Sequence, residues 1–185
     1  MIRRLVALLA VSLIGLSSTS HADHLPDNLQ ARGTPETTLA GIHLTEHTKI
    51  ADVIRLYGKP TEVKGSESDN PNIASSYDYY WIRPGLDLHV LVERLERKIP
   101  GWEYVSLVEV DVGTSRRVAK TGRGLKVGDS MKKLKRIYGN RFKIRDIPKL
   151  KIHDVMIQWR REEFSLVATL DEHGRITALA LAAPE

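Results

Sequence analysis

Residues 41–60, GIHLTEHTKIADVIRLYGKP, and residues 124–139, GLKVGDSMKKLKRIYG, are two versions of one pattern. Laid over one another, they match Thr38 with Thr121, Gly41 with Gly124 and Tyr57-Gly58 with Tyr138-Gly139. The spacing between glycine and tyrosine differs by two residues. The likeness continues downstream, where Leu86, Leu88 and Val90 stand at the same offsets from Trp81 as Phe164, Leu166 and Ala168 from Trp159. Repetition on this scale marks a structural unit used twice. The chain therefore reads as two tandem units, 38–113 and 114–185.

Each unit reads as a short helix followed by strands. In the second, Met131, Leu134, Ile137 and Tyr138 recur at helical spacing, with Lys132, Lys133, Lys135 and Arg136 on the remaining surface. Asp129 reads as the N-cap, and Gly139 as the stop, because glycine tolerates the left-handed backbone that ends a helix. The first unit repeats the grammar: Thr48 caps, Ile50, Val53, Ile54 and Tyr57 form the stripe, and Gly58 and Pro60 end it. Period-two alternation then predicts strands, with Leu86, Leu88, Val90 and Val92 on one face and Asp87, His89, Leu91 and Glu93 on the other. Likewise Val108, Val110 and Val112 alternate with Leu107, Glu109 and Asp111. Turns at 83–85 and 171–174 make antiparallel hairpins of the flanking runs. The fold class is α+β, each unit a short helix packed on an antiparallel meander. Residues 65–76 read as a flexible loop and 23–37, without periodicity, as a flexible N-terminal arm.

Outside the units, Arg3 and Arg4 precede a twelve-residue apolar run, 5–16, which suits a signal peptide and is short of the ~20 residues a spanning helix needs. Ser20, His21 and Ala22 fit a cleavage site after Ala22. The mature protein is thus expected in the periplasm or beyond, away from nucleic acid. Of the 185 residues 42% are hydrophobic and 28% charged, an ordinary globular balance, and none is cysteine. That excludes a disulfide scaffold, a thiol nucleophile and a lipid-bearing cysteine. Removing Arg3 and Arg4 leaves 26 basic against 23 acidic side chains, unevenly placed. Residues 116–151 hold fourteen Lys or Arg against Asp129 and Asp146 only, so the rest of the mature chain is acidic.

The string T-x-x-G-[IL], a capped helix ending in Tyr-Gly, then a Trp-bearing strand and a meander, duplicated in an exported chain, resembles the β-lactamase-inhibitor-protein-like fold. It is also similar to the small lipoprotein component of the outer-membrane β-barrel assembly machinery, which carries one such unit. The resemblance covers residues 38–181. It implies helices packed on an antiparallel sheet and a sheet surface that contacts other proteins.

Catalytic signatures are weak by comparison. Gly122, Gly124 and Gly128 lack the spacing of a phosphate loop, and no G-x-S-x-G elbow occurs. His43 and His47 read as surface histidines rather than zinc ligands. Asp87, His89, Glu93, Glu109 and Asp111 share a strand face, and carboxylates beside an imidazole are the materials of acid/base or metal chemistry. They also keep a soluble sheet wet. Tyr77 and Tyr79 share a strand face with Trp81, the composition of either core or a binding hot spot. Lys132, Lys133, Lys135 and Arg136 suit anionic lipid headgroups or an acidic protein. The reading is a non-enzymatic binding or inhibitor module without cofactor or metal, whose partner is another envelope protein. The alternatives are a metal-dependent or hydrolytic enzyme using the Asp/His/Glu surface, and a protein docking on anionic headgroups.

Overall fold

Alternating residues dominate the chain, and most of it is strand. The computed structural model describes residues 25–45, 47–66, 74–94, 101–148, 151–159 and 164–183. The signal peptide read over 1–22 lies outside the described residues. A small hairpin, β1 (Thr38–Leu39) and β2 (Ile42–His43), leads into α1 (Ile50–Tyr57) and the strands β3 (Glu62–Ser66), β4 (Ser75–Arg83), β5 (Leu86–Arg94) and β6 (Glu103–Asp111). Helix α2 (Met131–Tyr138) is followed by β7 (Lys143–Ile147), β8 (Ile152–Gln158), β9 (Ser165–Leu170) and β10 (Ile176–Ala182). The eight longer strands form one antiparallel sheet in the order β3-β4-β5-β6-β10-β9-β8-β7. The fold is α+β, mostly antiparallel sheet with two short helices among the described residues.

Both helices pack on the same face of this sheet. Their buried residues, Ile50 and Val53 of α1 and Leu134 and Tyr138 of α2, join one core with Leu88, Val90, Val108, Val110, Leu166 and Leu179. Ile54, expected in the buried stripe, and Leu56 are instead exposed on α1. Each helix ends in a tyrosine that packs against a buried tryptophan: Tyr57 lies 6.5 Å from Trp81 and Tyr138 6.0 Å from Trp159, measured between ring centroids. Gly58 and Gly139 follow with φ of 74° and 84°, a region where a side chain would be strained. The two T-x-x-G turns meet across the structure, Leu39 pairing with Thr121.

The helix caps fall one residue later than expected, at Lys49 and Ser130. Thr48 instead accepts from the Thr45 amide and donates to the His43 carbonyl, and Asp129 accepts from the Lys126 amide, so both brace the preceding turn. Residues 65–66 and 75–76, read as loop, belong to β3 and β4. Gly65 is needed there because a Cβ would meet the Tyr77 ring at 2.8 Å. The remainder of that loop, 67–73, lies outside the described residues.

The arm read over 23–37 is anchored at separate points among its described residues, with exposed stretches between them: Leu25 is 2% exposed, and its amide donates to Gln158. Farther along, Glu36 is buried and accepts from the Tyr138 hydroxyl at 2.7 Å and from the amides of Thr38 and Arg123. The anchoring is side-chain specific, so a lack of periodicity did not mean a lack of partners.

Trp81 and Trp159 differ in one atom's environment. Trp81 Nε1 donates to the Gly58 carbonyl at 2.8 Å, whereas Trp159 Nε1 is buried with no hydrogen-bond partner among the described residues. Truncating either to Ala should remove ~3–5 kcal/mol. Trp81→Phe should cost ~1 kcal/mol more than Trp159→Phe, since only the first breaks a hydrogen bond. Urea unfolding of the two Phe variants tests this, and equal losses would contradict the difference in bonding.

Candidate functional site

The face opposite the helices is built by the residues that alternate with the core. One transverse row crosses all eight strands: Glu62, Tyr80, His89, Glu109, Ala180, Val167, Met156 and Lys143. It begins acidic and aromatic, turns aliphatic in the middle and ends basic. Leu107, Val167 and Ala180 form a small second core there, with Leu91, Met156 and Ala182 against it.

Of the expected site residues, the structure brings Asp87, His89, Glu109 and Asp111 together on β5 and β6, with Glu93 farther along β5 beneath the Tyr104 hydroxyl. The face is not simply wet, however. His89 is 6% and Glu109 7% exposed. His89 Nε2 lies 2.7 Å from Asp78 Oδ1 and Nδ1 3.4 Å from Glu109 Oε2, while Tyr80 stacks over the imidazole at 4.8 Å. Asp78 and Tyr80 were missed as site residues. The signal was present, since alternation in YDYYW puts both on the strand face opposite Tyr77, Tyr79 and Trp81.

The electrostatics follow from this crowding. Burial alone would push the His89 imidazolium down, but hydrogen bonds and charge from Asp78 and Glu109 outweigh it, and the net shift is upward. Only the imidazolium can donate from both ring nitrogens. Burial pushes the Asp111 carboxyl up to about 6 despite a hydrogen bond from the Val112 amide, and the charges of Asp87 and Glu109 add to the rise. The Tyr80 hydroxyl is pushed up to about 12 by burial and by Asp78, Glu62 and Glu109. Among the described residues no group of three His, Asp or Glu side chains could hold a metal ion.

The remaining expected residues lie elsewhere. Tyr79 is a core residue on the helix side, stacked on Trp81, with its hydroxyl bonded to Arg94. Tyr77 is half-buried beneath the Arg94 guanidinium. These two belong to the core side and not to the open face, because β4 alternates them with Asp78 and Tyr80. Lys132, Lys135 and Arg136 are exposed on α2. Lys133 is not a free surface cation: its Nζ donates to Asp129 at 2.6 Å and to the Gly124 carbonyl, closing the turn before the helix.

These shifts give stability a defined pH dependence. A carboxyl held up to about 6 binds its proton more tightly folded than unfolded, so Asp111 removes stability as pH rises from ~4 to ~6. His89, also raised, contributes stability that is full below the unfolded value of ~6.5 and lost as pH rises through the folded value. Both limbs slope the same way. Asp111→Asn should therefore flatten the lower limb and stabilise the neutral-pH protein by ~1 kcal/mol after allowance for solvent screening, with no gain near pH 3.5. His89→Gln should flatten the upper limb only. Urea unfolding across pH 3.5 to 9 checks both signs.

No protein-family model and no curated protein matches the chain. Among solved structures it is similar to a DUF4309 family protein (YjgB) from Bacillus subtilis subsp. subtilis, at 17% identity over 78% of this chain and 83% of that one, with a TM-score of 0.46.

Proposed function

We propose that this chain is an exported, non-enzymatic protein-binding or inhibitor module of the bacterial periplasm, made of two tandem β-lactamase-inhibitor-protein-like units whose joined sheet presents its open face to another envelope protein. The observation that carries this reading is the open face itself. No described helix lies over it, and its transverse row passes from Glu62, Tyr80 and His89 through Ala180 and Val167 to Lys143. A band with an aliphatic centre and charged ends is the anatomy of a protein interface.

Its composition supports the reading further. A buried imidazole between carboxylates is costly to maintain, and apolar replacements of such groups are often neutral or stabilising. The same row carries Ala180, Val167 and Met156 in the other half of the sheet, so the fold itself accepts apolar groups there. The Asp78–His89–Glu109 trio is therefore better explained by what it meets than by what it holds up. Two tandem units are supported by the matched Tyr-Gly helix ends, the paired tryptophans and the mirrored strand order.

The test is site-specific photo-crosslinking of the mature protein in periplasm. A crosslinker at Leu91 or Met156 should capture one discrete partner, and one at Ile54 on the helix side should not. Leu107→Glu should abolish capture while leaving the fold intact by circular dichroism. Capture from Ile54 alone, or turnover of a small substrate that is lost in Asp111→Asn, would overturn the proposal, the second outcome in favour of a hydrolytic enzyme.

A further inference from the structure

The two helices bury matching stripes but turn different surfaces outward. On α1 the outward charges are mixed, Arg55 pairing with Asp52 at 3.0 Å beside exposed Ile54 and Leu56. On α2 they are all cationic: Lys132, Lys135 and Arg136 are exposed, and none has an acidic partner among the described residues. The core requires only the inner stripe, and α1 shows that such a helix is solvated without a run of cations. The arrangement on α2 also works against the helix. Lys132 stands three and four residues before Lys135 and Arg136, where like charges repel, and it lies in the first turn, where a cation opposes the helix dipole.

The surroundings of α2 extend this charge rather than cancel it. Arg123 lies over the Tyr138 ring at 5.5 Å, and Lys135 over the Phe142 ring at 5.7 Å. The described carboxylates bonded to the helix, Asp129 and Glu36, are both buried. Asp129 is held by Lys133 and Arg116, and Glu36 by the Tyr138 hydroxyl and two amides. In the turn that meets the start of α2, Asp171 accepts from the amides of His173 and Arg175, and Glu172 pairs with Lys151 at 3.4 Å. Beside the cations stands an apolar side chain. Ile144 of β7 pairs with the core residue Val155, which places it on the helix side of the sheet, and it is 50% exposed.

We propose that the outer surface of α2 docks on an anionic lipid bilayer, with Lys132, Lys135, Arg136 and Arg123 meeting headgroup phosphates and Ile144 reaching toward the acyl boundary. The composition selects this occupant. Lysine is depleted where proteins contact one another, whereas several cations beside an exposed aliphatic side chain suit a layer of phosphates over hydrocarbon. The placement agrees: α2 is the outer layer on its side of the sheet, so its cations project on long stems from a ridge, as contact with a broad charged plane requires. Docking through α2 leaves the open face of the sheet turned away from the bilayer. The inference goes beyond the function proposed for that face and does not depend on it.

The test is co-sedimentation of the mature protein with phosphatidylcholine vesicles and with vesicles in which about a third of the lipid is phosphatidylglycerol. Binding should require the anionic lipid and weaken at least about tenfold between low and high salt, because the attraction is screened. Lys132→Glu with Arg136→Glu should weaken it at least about tenfold, each cation near such a surface contributing about fivefold. Arg55→Glu with Lys59→Glu, an equal change of net charge on and after α1, should weaken it less than about threefold. Circular dichroism confirms that both variants are folded. Equal binding to the two kinds of vesicle, or equal losses in the two variants, would overturn the proposal. So would soluble polyglutamate that displaces the vesicles at matched charge concentration, the outcome that assigns the surface to an acidic protein. Salt and vesicle composition test the unaltered protein, so the proposal stays exposed to failure even where a variant does not fold.

Discussion

The antiparallel pairing of β6 with β10 is the interaction on which the remainder of the structure depends. It joins Leu107 to Ala182 at one end and Asp111 to Ala178 at the other, converting two four-stranded meanders into one sheet. An eight-residue helix is too short to persist alone in water, so α1 and α2 exist because this sheet offers them a continuous apolar face. The same pairing protects two strands that would otherwise be exposed edges with unmet backbone groups. It also fixes the open face, because the register that places Glu109 beside Ala180 aligns the acidic columns of one half with the aliphatic columns of the other.

Much of the architecture was legible because core burial imposes a period. The alternations in β5, β6 and β9 and the helical stripes around Val53 and Leu134 are demands of the shared core, and the chain writes them plainly. Strand β7, KIRDI, was not legible: it is an edge strand with four of five residues exposed, so no core constrains its sequence. The caps slipped by one residue for a local reason. Thr48 and Asp129 have the chemistry of caps but spend it on the turns before Lys49 and Ser130. Glu36 and Gln158 were invisible for another reason, since each acts through single long-range contacts that no periodicity announces.

The site was half legible. Alternation assigns His89 and Glu109 to the correct face but says nothing of exposure, which depends on what neighbours across the strands. Tyr80 stacks over His89 because the β4–β5 register sets them opposite one another. Such a cross-strand pair shields the imidazole without any helix above it. That shielding is what turns an ordinary polar sheet face into a set of interacting titratable groups. Asp111 and His89 are displaced in the same direction for different reasons, the first by burial beside like charges and the second by carboxylates that favour its cation.

The contrast between the halves then has a physical logic. Positions facing the helices share one requirement, an apolar side chain of suitable volume, and there the halves match: Trp81 with Trp159, Leu88 with Leu166, Tyr57 with Tyr138. Positions on the open face and at the outer edges answer to no common core, and there they differ. Asp78, His89 and Glu109 stand in one half where the other has Met156, Val167 and Ala180. The edge beside Trp81 meets Thr61, just ahead of β3, and the edge beside Trp159 meets Ala31, from the other end of the chain. A fold stabilised by one face of its sheet leaves the other face and its ends free to acquire separate tasks, and the asymmetry is concentrated in those places.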